Sequence, residues 1–331
     1  HAVWREFPVK RTKRKGRLMW GLIYVGTFLA AFLGSAAVKM TADPFHGKYT
    51  VDWDDSGGTG YTDLAYGDGE ANRFDLYVPA GHTKEHYGLI VYLHAGGFTS
   101  GDKRGDAGIL KWLCAKGYVT AGINYTLFSQ ENPTVSVYSQ TMDVKNAMPH
   151  VVAAAEELGY PLDPMAVAGG SAGGTLALVY AYRGAGTAPI PVKMVFEMVG
   201  PASFHFEDWT NYGLDKNPEA AANLFGTMSG TAITPEMIRS GEYLEAVKPI
   251  SADRWIDERS VPALLAYGKH DKVCPILSVQ PLIAALEANH VPYDYFEFPH
   301  SGHGLQNDNR MYAQYMEKLE EYLARYMGDA G

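Results

Sequence analysis

"AVAGGSAGGTLALVY", residues 166–180, decides how the rest of this chain is read. From Ala168 to Gly174 every residue is Gly or Ala except Ser171. Upstream, "MAVAG" (165–169) reads as a short buried strand, and downstream "TLALVYAYRGAG" (175–186) reads as a helix. Gly169-Gly170-Ser171-Ala172-Gly173 therefore falls at a strand–turn–helix junction, the setting that the G-x-S-x-G nucleophile elbow requires. The serine stands on a tight turn, so its neighbours must be tiny. The helix that follows aims its positive end at the reacting oxygen. A phosphate loop would need a Gly-Lys-Ser/Thr ending, and this stretch has no lysine. An inert tight turn is the remaining rival, and it weakens only if partner residues follow in the right order.

Working outward, strands and helices alternate. "GLIVYLH" (88–94), "YVTAGINY" (118–125), "VKMVFEMVG" (192–200), "PALLAYG" (262–268) and "YDYFEFP" (293–299) read as strands. "AGILKWLCAKG" (107–117), residues 134–159, "SVQPLIAALEANH" (278–290) and residues 308–327 read as helices, with Pro149 expected to kink or interrupt the second. "YTDLAYGDGEANRFDLYVP" (61–79) reads as two strands around a Gly-Asp-Gly turn, the antiparallel edge. The rhythm predicts an α/β fold with a mostly parallel sheet and helices on both faces. A segment at about 200–261, rich in Gly, Pro, Trp and Asn, breaks it and reads as a helical cap insertion.

Two partners for the serine arrive in order. "KHDKVCP" places Asp271 just past the strand 262–268, and "HSGHGL" places His303 just past the strand 293–299. A histidine takes a serine proton near neutral pH, and a buried carboxylate fixes its tautomer. His303, between two glycines, is preferred to His300, which follows Pro299, and to His270. Asp271 is preferred to Asp294, which lies inside a strand, and to Asp257, which precedes one. "LHAGGF" (93–98) follows a buried strand and has the glycines an oxyanion loop needs. The expected donors are the backbone amides of Gly96, Gly97 and Ala172, with His94 bracing the loop. Phe98, Phe204 and Trp209, with Phe206, Tyr212 and Trp255 of the insertion, are candidates for the substrate pocket, ordinary packing within the lid being the other reading of the insertion's aromatics.

"LHAGGF" with Gly101-Asp102-Lys103, "LDPMAVAGGSAGG", "YGKHDKVCP" and "HSGHG" together resemble the α/β-hydrolase fold serine esterases of the hormone-sensitive-lipase-like and feruloyl/acetyl-xylan-esterase-like groups, from about residue 60 to 327. The resemblance implies carboxylic ester hydrolysis through an acyl-serine on a small-molecule ester, with no metal and no cofactor, and short-chain or carbohydrate-linked acyl esters are the expected substrates. It also implies scaffold roles for Asp102, Lys103 and Asp143. Thr126 departs from the pattern, since relatives commonly carry Arg there. Two other readings stay open. One is a serine peptidase of the prolyl-oligopeptidase-like type, although the roughly sixty residues ahead of the domain leave no room for the large extra domain such enzymes usually carry. The other is a non-catalytic hydrolase-like surface binding protein.

Composition bounds the rest. The chain has 331 residues and a formal net charge of −9. Residues 1–38 hold seven of the 28 Lys and Arg and one of the 37 acids, so the remainder carries 21 against 36, a net −15. So acidic a body repels phosphate and is a poor nucleic-acid partner. The basic segment 1–17 precedes "LMWGLIYVGTFLAAFLGSAAV" (18–38), an uncharged run that reads as a transmembrane anchor or a cleaved signal peptide. The basic cluster stays cytoplasmic, so the domain is expected outside the cytoplasm. Residues 39–59 read as a linker and 60–331 as the hydrolase domain. Cys114 and Cys274 have no metal spacing and read as two free thiols, a single disulfide being the alternative.

Overall fold

The computed structural model describes residues 48–81 and 83–328. The segments 1–17 and 18–38, and residues 39–47 of the expected linker, lie outside the described residues. Among the described residues no helix is long and apolar enough to cross a membrane.

Eight strands form one sheet: β1 (Gly58–Ala65), β2 (Arg73–Pro79), β3 (Tyr87–Leu93), β4 (Val119–Ile123), β5 (Leu162–Gly170), β6 (Val192–Met198), β7 (Ala263–Gly268) and β8 (Tyr293–Phe298). Their order is β1-β2-β4-β3-β5-β6-β7-β8. β1 and β2 run antiparallel to their neighbours, and every pairing from β4 to β8 is parallel. The central strands are apolar on both faces because helices cover both: Leu89, Ile90 and Val91 of β3 are fully buried. This is the α/β-hydrolase fold.

Five of the helices carry the site or its support: α1 (Ala107–Ala115), α2 (Val137–Glu157), α3 (Ala172–Val179), α7 (Val279–Ala288) and α8 (Asn309–Met327). Leu110 and Cys114 of α1 pack with Tyr77 on one face of the sheet. Val144, Met148 and Val151 of α2, Leu176 of α3 and Leu282 of α7 join the larger core on the other. Three helices, α4 (Pro218–Ser229), α5 (Pro235–Ser240) and α6 (Tyr243–Val247), lie in the insertion between β6 and β7.

The structure departs from the sequence reading at four places. α2 runs through Pro149 without interruption. Pro149 is on the exposed side of the helix, so only the Lys145 carbonyl loses its amide partner and the core face is undisturbed. α2 also starts at Val137, because Ser136 and Ser139 form a reciprocal cap there. The helix expected over 175–186 gives way to a π turn at Tyr180–Gly184. The described part of the expected linker is docked on the domain. Tyr49 packs edge-on against Trp112 and Tyr312 at 5.7 and 5.9 Å, and Trp53 against Tyr77 at 5.7 Å. Buried aromatic area outweighs the polar composition of that stretch. Cys114 and Cys274 are both free and buried, so the disulfide alternative does not hold.

Candidate active site

Ser171 follows the last residue of β5 and precedes α3, with φ 53° and ψ −120°. A non-glycine residue there is strained and persists only because its surroundings fix it. The Ser171 amide donates to the Met198 carbonyl at 2.8 Å, which ties the turn to the end of β6. The flanking glycines are required by space, not by torsion. A Cβ on Gly169 would lie 2.4 Å from the Gly173 carbonyl carbon, and one on Gly173 would lie 1.9 Å from the Leu93 oxygen. Gly173→Ala is therefore expected to destabilise the protein by about 3 kcal/mol or more, read from denaturant unfolding. A loss below about 1 kcal/mol would mean that the crossing of α3 over β3 yields easily.

Asp271 and His303 come from loops after β7 and β8, and backbone contacts zip those loops together. Lys269 N–H donates to the Phe298 oxygen at 3.0 Å, and His270 N–H to the Ser301 oxygen at 2.9 Å. Gly268 allows the approach, since a Cβ there would be 2.2 Å from the Gly302 oxygen. The result is a continuous hydrogen-bonded line. His303 Nε2 is 2.9 Å from Ser171 Oγ, and His303 Nδ1 is 2.7 Å from Asp271 Oδ2. Asp271 Oδ1 accepts the amides of Val273 at 2.8 Å and Cys274 at 2.9 Å. The acid side chain is wholly buried, whereas that of His303 is 28% exposed. With Nδ1–H donated to the carboxylate, Nε2 is left to accept the serine proton.

The rival groups go elsewhere. His300 pairs with Asp308 at 2.7 Å and is 77% exposed on its side chain. Ser301 Oγ donates to the same carboxylate at 2.6 Å, so this pair braces the loop that presents His303. His270 is exposed.

Gly96 and Gly97 have φ of 138° and 60°, and Phe98 has φ 67°. Gly96 builds the turn: its carbonyl accepts from the amides of Thr99 and Ser100, and a Cβ on it would strike the Ser100 oxygen at 1.9 Å. Gly97 lies with Ser171, Ala172 and His303 on the wall of a cavity of about 280 Å³, and Gly96 is not on that wall. The Ala172 amide is the first of α3 and so has no partner within the helix. His94 braces the loop as expected. Its Nδ1 lies 2.8 Å from the Ala95 oxygen, its ring stacks on Tyr125 at 4.2 Å, and its carbonyl accepts the Tyr125 hydroxyl at 2.7 Å. Burial holds its imidazole below the usual histidine range, which keeps it neutral.

Phe98, Trp209 and Tyr212 line the cavity. Phe204 does not. It is fully buried and packs on Trp209 at 5.3 Å and Phe225 at 5.8 Å, forming the insertion's own core. Phe206 and Trp255 are also absent from the wall. Sequence reasoning missed Phe128, Leu224 and Met228, which line the cavity, and Gln140, whose Nε2 donates to the Phe98 and Thr126 oxygens at 2.8 Å each. A glutamine on the otherwise apolar face of α2 was the available signal. Asp102, Lys103 and Asp143 serve the scaffold. Lys103 is buried against Asp63 and Asp75 at 2.7 and 3.1 Å, Asp102 accepts from Asn124, and Asp143 accepts the Thr126 amide. Among the described residues no His, Cys, Asp and Glu group has the arrangement of a metal site.

The chain is 26% identical over 261 residues to the probable carboxylic ester hydrolase LipM of Mycobacterium tuberculosis, and 23% identical over 244 residues to dipeptidyl aminopeptidase BIII of Pseudoxanthomonas mexicana. The alignments cover 73% and 72% of this chain but only 56% and 33% of those relatives. Among solved structures, an inhibited esterase B from Lactobacillus rhamnosis has a TM-score of 0.64 at 19% identity, over 91% of this chain and 96% of that one. Esterase Est2 of Thermogutta terrifontis has a TM-score of 0.63 at 20% identity, over 82% and 93%. Both share the fold. The family model described as BD-FAE matches residues 74–286, from β2 through most of α7 and across both Ser171 and Asp271. That match spans well over half of the sequence, and the chain belongs to the BD-FAE family of α/β hydrolases.

Proposed function

We propose that this protein is a carboxylic ester hydrolase in which Ser171, His303 and Asp271 act as a triad through an acyl-serine. The observation that carries the reading is the line from Asp271 through His303 to Ser171 Oγ, ending on the wall of an apolar cavity. His303 Nε2 takes the Ser171 proton as Oγ attacks the ester carbon. The oxyanion is stabilised by the amides of Gly97 and Ala172, helped by the positive end of α3. His303 then gives the proton to the leaving alkoxide, and an alcohol departs. Water repeats the sequence on the acyl-serine and frees the acid. The names of LipM and of esterase LipC, also of M. tuberculosis and 23% identical, support the same chemistry. We further propose that this work is done outside the cytoplasm, a reading supported by the basic segment 1–17 ahead of the uncharged run 18–38, which would deliver or hold the domain there.

The cavity wall supports a reading of the acyl group. Phe98, Phe128, Val135, Leu224 and Met228 meet Ser171 with no charged side chain between them. A neutral, apolar acyl chain fits such a wall. A cavity of 150 Å³ holds benzene, so about 280 Å³ suits a chain of short to medium length. A series of nitrophenyl esters is expected to give a kcat/KM that rises from acetate and then falls. Met228→Trp should move the maximum to shorter chains, each methylene that no longer fits costing roughly tenfold. A flat profile in both proteins would place the acyl chain outside this cavity.

The dipeptidyl aminopeptidase relative favours one other reading, a peptidase on the same triad. An aminopeptidase needs an acidic partner for the substrate ammonium, and among the described residues no Asp or Glu is on the cavity wall. The two readings are separated by running nitrophenyl butyrate beside a dipeptidyl anilide on the full chain, with a phosphonate label mapped by mass spectrometry. Ester turnover with the label on Ser171 supports the proposal. Anilide turnover alone, or no turnover of either substrate, overturns it.

A further inference from the structure

The elbow motif needs glycine at 169 and 173, yet this chain has a further glycine at 174 and another at Gly200. Both face one side chain. A Cβ on Gly174 would lie 2.8 Å from Glu197 Oε2, and one on Gly200 would lie 3.0 Å from it. Glu197 sits on β6 beside Gly169, is 1% exposed, and fills the gap between the first turn of α3 and the 199–201 turn. Its Oε2 accepts the Gly200 amide at 2.9 Å, and the Tyr267 hydroxyl stands within hydrogen-bonding reach of the carboxyl.

That turn is strained and clamped from several sides. Val199, a β-branched residue, has φ 53°. Its amide donates to the Ala266 oxygen at 2.8 Å, the Gly200 oxygen accepts the Tyr267 hydroxyl, and the Pro201 oxygen accepts Thr175 Oγ1 at 2.7 Å. Met198, at its start, receives the Ser171 amide, and Pro201, at its end, lines the cavity beside Ser171. We propose that Glu197 is a positioning residue of the catalytic centre: its buried carboxyl wedges the strained Val199–Pro201 turn against α3 and so sets where Ser171 and the Pro201 wall stand.

The charge state follows from the surroundings. The titratable groups that interact with the carboxyl are Tyr267 from β7, within hydrogen-bonding reach, and, through the electrostatic field, Tyr92 from β3, Tyr182 from the π turn, Tyr295 from β8, Tyr315 from α8 and the Cys274 thiol. None is a cation. Burial pushes the acid up from 4.5 to about 8. Between those values the unfolded chain has released its proton while the native protein keeps it, so the native state loses stability as pH rises through that window. Above it the carboxylate forms without a counter-ion and the clamp loosens.

The inference rests on the hydrolase reading of Ser171, and its test uses the full chain, Glu197→Gln and Glu197→Ala. Wild-type kcat on a nitrophenyl ester is expected to fall above a midpoint near pH 8 with KM unchanged. Glu197→Gln keeps the shape and one proton-bearing arm without the ionisation. It should retain at least about a third of wild-type kcat at neutral pH and lack that fall. Glu197→Ala should lose roughly tenfold or more in kcat. In melting curves from about pH 5 to about pH 9, wild-type Tm should drop relative to that of Glu197→Gln. Superimposable pH profiles for wild type and Glu197→Gln, or a glutamine variant as impaired as the alanine one, overturn the proposal. Should Glu197→Ala not fold, the wild-type and glutamine comparison decides alone. Should the chain hydrolyse no ester, the hydrolase reading fails. The Tm comparison still decides whether the carboxyl is held neutral, and parallel Tm curves overturn that.

Discussion

Replacing Ser171 by alanine is expected to lower kcat on a short-chain nitrophenyl ester by roughly 10⁴-fold or more, with KM within a few-fold of wild type. The argument is about what remains. Without Oγ no acyl-serine forms, and His303 can at best activate a water in the space the oxygen leaves. The amides of Gly97 and Ala172 stay in place, so a residue of catalysis over water persists. The fold should not suffer, because Ser171 Oγ bonds only to His303 among the described partners. The alanine also removes one strained hydroxyl-bearing residue at φ 53° without relaxing the turn, which is set by the backbone. Tm should therefore stay within a few degrees. Full retention of turnover in a folded Ser171→Ala protein would end the triad reading. So would a phosphonate that still labels that variant at the same rate.

The elbow was legible because its chemistry forces a local pattern. A serine that stands clear of a sheet needs a tight turn, and a tight turn over β3 needs glycine where Leu93 passes. Asp271 and His303 were legible from order alone, each one loop past a strand. Their pairing is made by backbone contacts between the two loops, which leave no trace in composition apart from Gly268 and Gly302. The cavity wall was less legible. Trp209 and Phe204 are aromatic neighbours in the same insertion, yet one faces the site and the other is sealed behind it. That choice is made by the packing of α4 against the core, which periodicity over short irregular turns does not encode. Gly96 and Gly97 likewise read as equivalent. Only their surroundings separate them: Gly96 is packed against Ser100, whereas Gly97 is open and on the cavity wall with Ser171.

Glu197 shows the opposite case, a residue that the sequence pattern hides. "VKMVFEMVG" reads as a buried strand with one misplaced acid. A charge at that position argues against the assignment, since carboxylates are almost never fully buried without a partner. The strand forms nevertheless, because burial favours the neutral form of the acid and two glycines leave room for it. The same residue thus weakens the strand reading and supplies the support behind the elbow.

Asp271→Asn is expected to cost roughly 10⁴-fold in kcat with little change in KM, although it removes only a charge. The hydrogen-bond pattern around the acid dictates why. Oδ1 accepts two amides, from Val273 and Cys274, so the asparagine oxygen is held there and its NH2 is turned toward His303. An NH2 facing Nδ1 makes that nitrogen the acceptor, and the ring proton moves to Nε2. The imidazole then presents N–H to Ser171 Oγ, the tautomer that cannot take its proton. The imidazolium that forms in the transition state also loses its buried counter-charge. Both effects act on chemistry and not on the cavity, which is why KM should hold. His300→Ala is the matched control, because His300 is the exposed member of the Asp308 pair and Ser301 Oγ keeps its own hydrogen bond to that carboxylate, which still braces the loop. It should stay within a few-fold of wild type. A folded Asp271→Asn protein with kcat within about tenfold of wild type, or a His300→Ala protein as impaired as Asp271→Asn, would show that the histidine is oriented by some other group.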